Sequence, residues 1–147
     1  MIKAVVFDLW GTILDVENDL TPFADAEEIL ATLKRTGFKI GLLSNASRSA
    51  QEDLEKHGLL PYFDATVFAY DMRSRKPLPE TFEAVLEALE VAPAEAVMVG
   101  DGLDNDIQGA LAVGMPAVFV NRNGLETSIL SVKSLADLPS ALDKISS

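Results

Sequence analysis

The chain has 147 residues, 48% hydrophobic and 24% charged, which suits one soluble globular domain over 1–147 with a real core. Its net charge of −11, from 12 basic and 23 acidic side chains, argues against nucleic acid as a bulk electrostatic partner, although local cations or a metal can reverse the field inside a cleft. No apolar run approaches the roughly 20 residues that span a bilayer, the start MIKAVVFD lacks the apolar core and cleavage site of a secretory signal, and cysteine is absent, so the expectation is a cytoplasmic protein with no membrane partner and no thiolate chemistry.

Strand and helix patterns alternate along the chain. IKAVVF (2–7) reads as a first strand, and the stretch from Asp8 to about Pro22 reads as irregular. ADAEEILATLKRTG (24–37) has helical spacing at Ala26, Ile29, Leu30 and Leu33, with Gly37 as its stop. FKIGLLS (38–44) is a second strand, and RSAQEDLEKHG (48–58) a polar helix with Ser47 as N-cap and Gly58 as stop. ATVFAY (65–70) is a third strand, followed by a helix over 79–90 with Pro79 near its first turn. AVMVG (96–100) is a fourth strand, NDIQGALAVG (105–114) a helix, and PAVFV (116–120) a fifth strand. In the tail, 128–132 reads as a short edge strand and 135–145 as a helix. Strands that are almost wholly apolar and alternate with amphipathic helices imply a parallel sheet covered on both faces. Such sheets bind ligands at the carboxyl ends of their strands.

The polar residues just after the strands bear that out. Asp8 and Gly11-Thr12 follow strand one, Ser44-Asn45 follow strand two, Arg75-Lys76-Pro77 lie beyond strand three, and Asp101, Asn105 and Asp106 follow strand four. Taken singly, each has a plainer reading as a turn, a helix cap or an exposed loop. The conjunction carries the weight: complementary groups stand at four strand ends in order. Clustered carboxylates repel and raise one another's pKa unless a cation neutralises them. Hard oxygen donors without His or Cys point to Mg²⁺, which takes one or two carboxylates plus waters and a substrate phosphate. A lysine screens phosphate charge, and Ser44 or Thr12 can donate hydrogen bonds to phosphate oxygens.

With these residues in view, the sequence resembles the haloacid dehalogenase superfamily, whose members are mostly phosphatases. FDLWGTILD, LLSNAS, the Lys76-Pro77 segment and VMVGDGLDNDIQGALAVG match its four motifs in order, over about residues 2–121. The resemblance implies a Rossmann-like three-layer α/β/α sandwich, its parallel sheet of five or more strands ordered 3-2-1-4-5. It also implies Asp8 as the nucleophile that forms an aspartyl-phosphate. Mg²⁺ would be held by the Asp8 carboxylate, the backbone carbonyl of Trp10 and Asp101, with Asp106 ligating through water or lying behind them. Thr12, Ser44 and Asn45 would bind the phosphoryl group, with Gly102 and Asn105 shaping the pocket, and Lys76 would steady nucleophile and developing charge.

Two departures matter. Phosphatases of this superfamily usually carry a second aspartate where Trp10 stands, to protonate the leaving oxygen and then activate water. Indole can do neither near neutral pH, and general acid–base help is typically worth about 10²–10⁴ in rate. Trp10 either lines the mouth of an open site or packs against the helix that begins near Ala24. In addition, neither residues 8–37 nor 69–76 leave room for an inserted cap domain. The site would be open, or covered by a neighbouring subunit of a homo-oligomer. The main expectation is a slow Mg²⁺-dependent phosphomonoester hydrolase acting on a phosphorylated small molecule or macromolecule. Metal-bound water could partly replace the missing acid, whereas Asp15 reads as a loop residue of the adjoining flap and is assigned no catalysis. The alternatives are a weakly catalytic or inactive binding module with this fold, and a 2-haloacid dehalogenase-like C–halogen hydrolase, against which Asp101 counts.

Overall fold

The computed structural model describes residues 1–146. In chain order they form β1 (Ala4–Phe7), β2 (Leu14–Asp15), β3 (Thr21–Pro22), α1 (Ala26–Arg35), β4 (Lys39–Ser44), α2 (Gln51–Lys56) and β5 (Ala65–Phe68). These are followed by α3 (Pro79–Leu89), β6 (Ala96–Gly100), α4 (Gly109–Ala112), β7 (Ala117–Val120), β8 (Ser131–Val132) and α5 (Leu138–Ser146). Six strands make one parallel sheet in the order β5-β4-β1-β6-β7-β8, which is the expected 3-2-1-4-5 with the tail strand added at the edge.

Alternation along each strand explains why these runs are apolar throughout. Val5 and Phe7 of β1, Ile40 and Leu42 of β4, and Val97 and Val99 of β6 enter one buried layer. Their neighbours Ala4, Val6, Leu43, Ala96 and Met98 enter the other. The first layer is closed by Ile29, Leu30 and Leu33 of α1 and by Leu138 and Leu142 of α5, the second by Phe82, Val85 and Leu89 of α3. Each fully buried Leu, Ile or Phe stabilises the fold by roughly 1.5–3 kcal/mol.

Several boundaries differ from the sequence expectation. The stretch expected to be irregular contains a small antiparallel hairpin, β2 paired with β3. Its two-residue strands are too short to show an alternating pattern. The polar helix begins as a 3₁₀ turn, Arg48–Ala50, and Ser47 makes no cap bond because its hydroxyl pairs with Ser49 at 2.7 Å. The third strand ends at Phe68 and turns through a 3₁₀ segment, Ala69–Met72. The helix expected over 105–114 starts earlier as a π-helical turn, Leu103–Gln108, and α4 is only its end. Among the described residues no helix is long and apolar enough to cross a membrane.

Candidate active site

β1 lies between β4 and β6, where the strand order reverses, and Asp8 is the first residue beyond it. That is the switch point at which such sheets bind ligands. The Asp8 amide donates to Val99 O at 3.0 Å, so the start of the loop is tied to β6. The chain then turns tightly: the amides of Thr12, Ile13 and Leu14 return to Leu9 O, and that of Gly11 reaches Leu14 O. None of these bonds ends on the Trp10 carbonyl. Gly11 has φ +86°, and a Cβ there would strike the Asp101 carboxylate. Only glycine lets the two loops approach so closely.

Asp8, Asp101 and Asp106 each offer a carboxylate oxygen within 4.8 Å of the others. Lys76 stands among them and uses all three of its protons. Its Nζ donates to Asp8 Oδ1 at 2.8 Å, Asp106 Oδ1 at 2.6 Å and Leu43 O at 3.0 Å. The lysine side chain is 3% exposed and Asp106 is equally enclosed, whereas Asp101 faces solvent. The π-helical turn after Asp101 brings Asp106 back into the site, where its Oδ2 accepts from Gly102 N at 3.0 Å. Gly100 makes room for that carboxylate, since a Cβ there would collide with it.

The electrostatics follow from burial and imbalance, three carboxylates facing one ammonium. Burial pushes the Asp8 carboxyl up to about 6, with Lys76 pulling down and Asp101 adding to the rise. Burial and then the Asp8 charge push Asp106 up to about 6 as well, against Lys76. Burial opposes the charge on Lys76, but Asp8 and Asp106 outweigh it and hold the lysine above its usual range.

The other expected residues divide. Ser44 ends β4, buried, with Oγ accepting from Ala46 N at 3.1 Å and its own proton still free to be donated. Thr12 is fully buried and its Oγ1 has no partner among the described residues. Asn45 lies beside Ser44, and its Oδ1 accepts from Lys76 N at 2.6 Å and so holds the lysine loop, leaving the Nδ2 as its donor. Asn105 is exposed. Trp10 is 43% exposed, which fits a side chain at the mouth better than one packed under α1.

Two residues that bear on the site were missed by the sequence reading. Arg122, just past β7, donates from Nη2 to Thr12 O at 3.1 Å and forks onto Asp25 at 2.9 and 3.0 Å. Its guanidinium lies 3.7 Å from the centre of the Phe23 ring. Asp25 stands at the N-cap position of α1, yet its side chain makes no cap bond. Its carboxylate also accepts from Ser134 Oγ and Leu135 N, at 2.8 and 2.9 Å. The strand-end rule applied to strand five would have pointed to Arg122.

A family model described as haloacid dehalogenase-like hydrolase matches residues 15–114. The chain belongs to that family. The matched span contains Ser44, Lys76, Asp101 and Asp106 and begins beyond Asp8. Among relatives of this haloacid dehalogenase-like hydrolase, human N-acylneuraminate-9-phosphatase is 38% identical over 130 residues, 82% of this chain and 52% of that protein. Glyceraldehyde 3-phosphate phosphatase of Methanothermobacter thermautotrophicus is 32% identical over 124 residues, 76% of this chain and 55% of that one. The chain thus spans about half the length of the curated relatives it matches. The crystal structure of a HAD phosphatase from Thermococcus onnurineus superposes with a TM-score of 0.90 at 28% identity, over 96% of this chain and 98% of that one. A 2-haloacid dehalogenase from Pseudomonas syringae gives a TM-score of 0.87 at 21% identity over 98% of this chain and 99% of that one, a likeness of fold alone.

Proposed function

We propose that this haloacid dehalogenase-like hydrolase is a Mg²⁺-dependent phosphomonoester hydrolase that works through an aspartyl-phosphate on Asp8 and is slowed by Trp10. The observation that carries the reading is the Asp8 carboxylate at the end of the central strand, held by Lys76 inside a three-carboxylate cluster. The phosphatases among its relatives support the substrate class. The donor set fits Mg²⁺: hard oxygens only, an excess of negative charge, one exposed carboxylate and a backbone carbonyl left free by the loop. Asp8, Asp101 and the Trp10 carbonyl would hold the ion. Asp106 would act from behind through Lys76 and Gly102, where both its oxygens are engaged. When bound, Mg²⁺ neutralises carboxylate and phosphoryl charge together.

The chain's own groups then divide the work. An Asp8 oxygen attacks phosphorus, forming the Asp8–phosphorus bond as the bond to the leaving oxygen breaks. Lys76 fixes the rotamer of Asp8 through the 2.8 Å bond and offsets charge as it develops. Ser44 and Thr12 have hydroxyls available for phosphoryl oxygens. Trp10 has no proton to give the leaving oxygen, which takes one from solvent. Water then attacks phosphorus, releasing phosphate and regenerating Asp8.

The exposed indole favours a second reading, in which the fold is kept for binding and Trp10 is an apolar contact surface. Phosphate release from p-nitrophenyl phosphate, with Mg²⁺ or with EDTA, separates the two for the wild type and for Asp8→Asn. Metal-dependent turnover that disappears in the variant is expected. Absence of turnover at every metal concentration would overturn the hydrolase in favour of the binding module.

A further inference from the structure

A cleft of about 320 Å³ opens against the outer side of the carboxylate cluster, with Gly11 and Asp101 in its wall. Its other walls are the β2–β3 hairpin, which supplies Asp15 and Glu17, and the segment after β7. We infer that this cleft is the leaving-group site of the proposed phosphatase, and that it takes a small uncharged or cationic alcohol, such as a polyol or an amino alcohol, in preference to one bearing a carboxylate. The inference rests on the hydrolase reading above.

Three observations carry it. The first is continuity. Two other surface hollows, one around Tyr70–Ser74 and one around Arg48 and Met72, share no residue with the Asp8–Asp101–Asp106 cluster, whereas this one contains Asp101 itself. A phosphoryl group held at the cluster would have its ester oxygen pointing out of the buried end, toward the exposed Asp101. The second is size: the volume is at the lower end of small-molecule sites and too small for a folded partner. The third is charge. Asp15 and Glu17 are acidic, in addition to Asp101, which the proposed Mg²⁺ would neutralise, and the charge of Arg122, the one cation in the lining, is already matched by the two-pronged Asp25 pair and the Phe23 ring. Asn121 is also occupied, exchanging hydrogen bonds of 2.8 and 2.9 Å with the backbone of Leu125. The cleft therefore presents carboxylates to its occupant with no free cation to balance an anionic one. A negative leaving group would be repelled, while hydroxyls and ammonium groups would find acceptors.

The experiment compares kcat/KM of the Mg²⁺-loaded protein for glycerol 3-phosphate, O-phosphoethanolamine and 3-phosphoglycerate. It uses the wild type and the double variant Asp15→Asn, Glu17→Gln. The asparagine keeps the oxygen that accepts from the backbone of residue 17 in the hairpin turn. The first two esters should exceed 3-phosphoglycerate by about tenfold or more, and the double variant should narrow the gap by about tenfold. Equal rates on all three esters, or a preference untouched by the double variant, would overturn the leaving-group site while the phosphatase stood. If no ester is hydrolysed, the phosphatase reading fails and calorimetric binding of the same three esters decides the cleft. The same ranking with the same dependence on Asp15 and Glu17 upholds it as a recognition site, and equal binding overturns it.

Discussion

The pairing of Asp8 with Lys76 and the placing of Trp10 two residues later pull in opposite directions. Lys76 gives the carboxylate one orientation through a short, charge-assisted bond in an enclosed setting. Such preorganisation favours nucleophilic attack. Trp10 offers no proton donor, while its backbone carbonyl stays free of the loop's own hydrogen bonds. In the proposed reaction, binding of the phosphoryl half and proton transfer to the leaving half would thereby be uncoupled. Replacing Trp10 by Asp should raise the turnover of p-nitrophenyl phosphate by about 10²–10⁴ at saturating Mg²⁺. The Mg²⁺ concentration for half-maximal activity should stay in the same range, because the carbonyl is retained. A steady-state titration of the variant checks both, and a variant that binds Mg²⁺ yet stays as slow as the wild type would show that a missing acid is not what limits the reaction.

Among the elements, the connection between Asp25 and Arg122 ties together parts of the chain that are remote in sequence. Asp25 sits at the entrance to α1, Arg122 beyond β7, and Ser134 and Leu135 ahead of α5, while the guanidinium reaches back to the carbonyl of Thr12 in the loop after Asp8. The Arg122, Ser134 and Leu135 bonds hold the Asp25 carboxyl below its usual range even though burial pulls the other way. Removing the carboxylate strands a half-buried arginine and two further donors at once. Asp25→Ala should therefore cost about 2–3 kcal/mol in a urea titration. It should also speed proteolysis of the segment after β7, whose attachment it supplies. A variant as stable and as protease-resistant as the wild type would mean that β8 and α5 are held by their apolar faces alone. The same arrangement explains why Asp25 makes no cap bond: its oxygens are already committed to Arg122, Ser134 and Leu135.

For the whole molecule, the site stores electrostatic strain that a cation can relieve. Asp8 and Asp106 both titrate near 6 in the folded chain, above their unfolded value of 3.8. The folded state thus binds more protons than the unfolded one between those values. The stability contributed by these groups is full below about pH 4 and is lost as pH rises to about 6. Without metal, Asp8→Asn should unfold at a higher temperature than the wild type at pH 7. That advantage should shrink as the pH is lowered through 6 toward 4. Added Mg²⁺ should raise the wild-type midpoint and move the variant less, because it binds the folded cluster and loses a carboxylate ligand in the variant. Thermal scans at several pH values, with Mg²⁺ and with EDTA, measure all of this. An advantage that does not vary with pH would point to packing rather than charge.

Much of this architecture was legible in the residues. Apolar strands alternating with amphipathic helices dictate a covered parallel sheet, because both strand faces must leave water, and Asp8, Ser44 and Asp101 betray themselves as polar groups at the ends of apolar runs, with Lys76 in the loop beyond the third. Their spacing along the chain also excluded an inserted cap. What the sequence could not express is which polar atoms consume one another. Asn45 reads as a phosphate contact, and the sequence does not show that its oxygen also holds the Lys76 backbone, which leaves its Nδ2 as the donor. Asp106 reads as a ligand through water or a residue behind the ligands, and only the structure shows that both its oxygens are engaged, by Lys76 and Gly102. The hairpin that walls the cleft and the Arg122–Asp25 link were hidden for a related reason. Two-residue strands have no periodicity, and an ion pair spanning residues 25 to 122 exists only once the sheet has brought its ends together. Local sequence sets which groups are available at the strand ends, since burial and periodicity act over a few residues. Only the tertiary structure decides their partners, since hydrogen bonds and charges act over ångströms in space, whatever the separation along the chain.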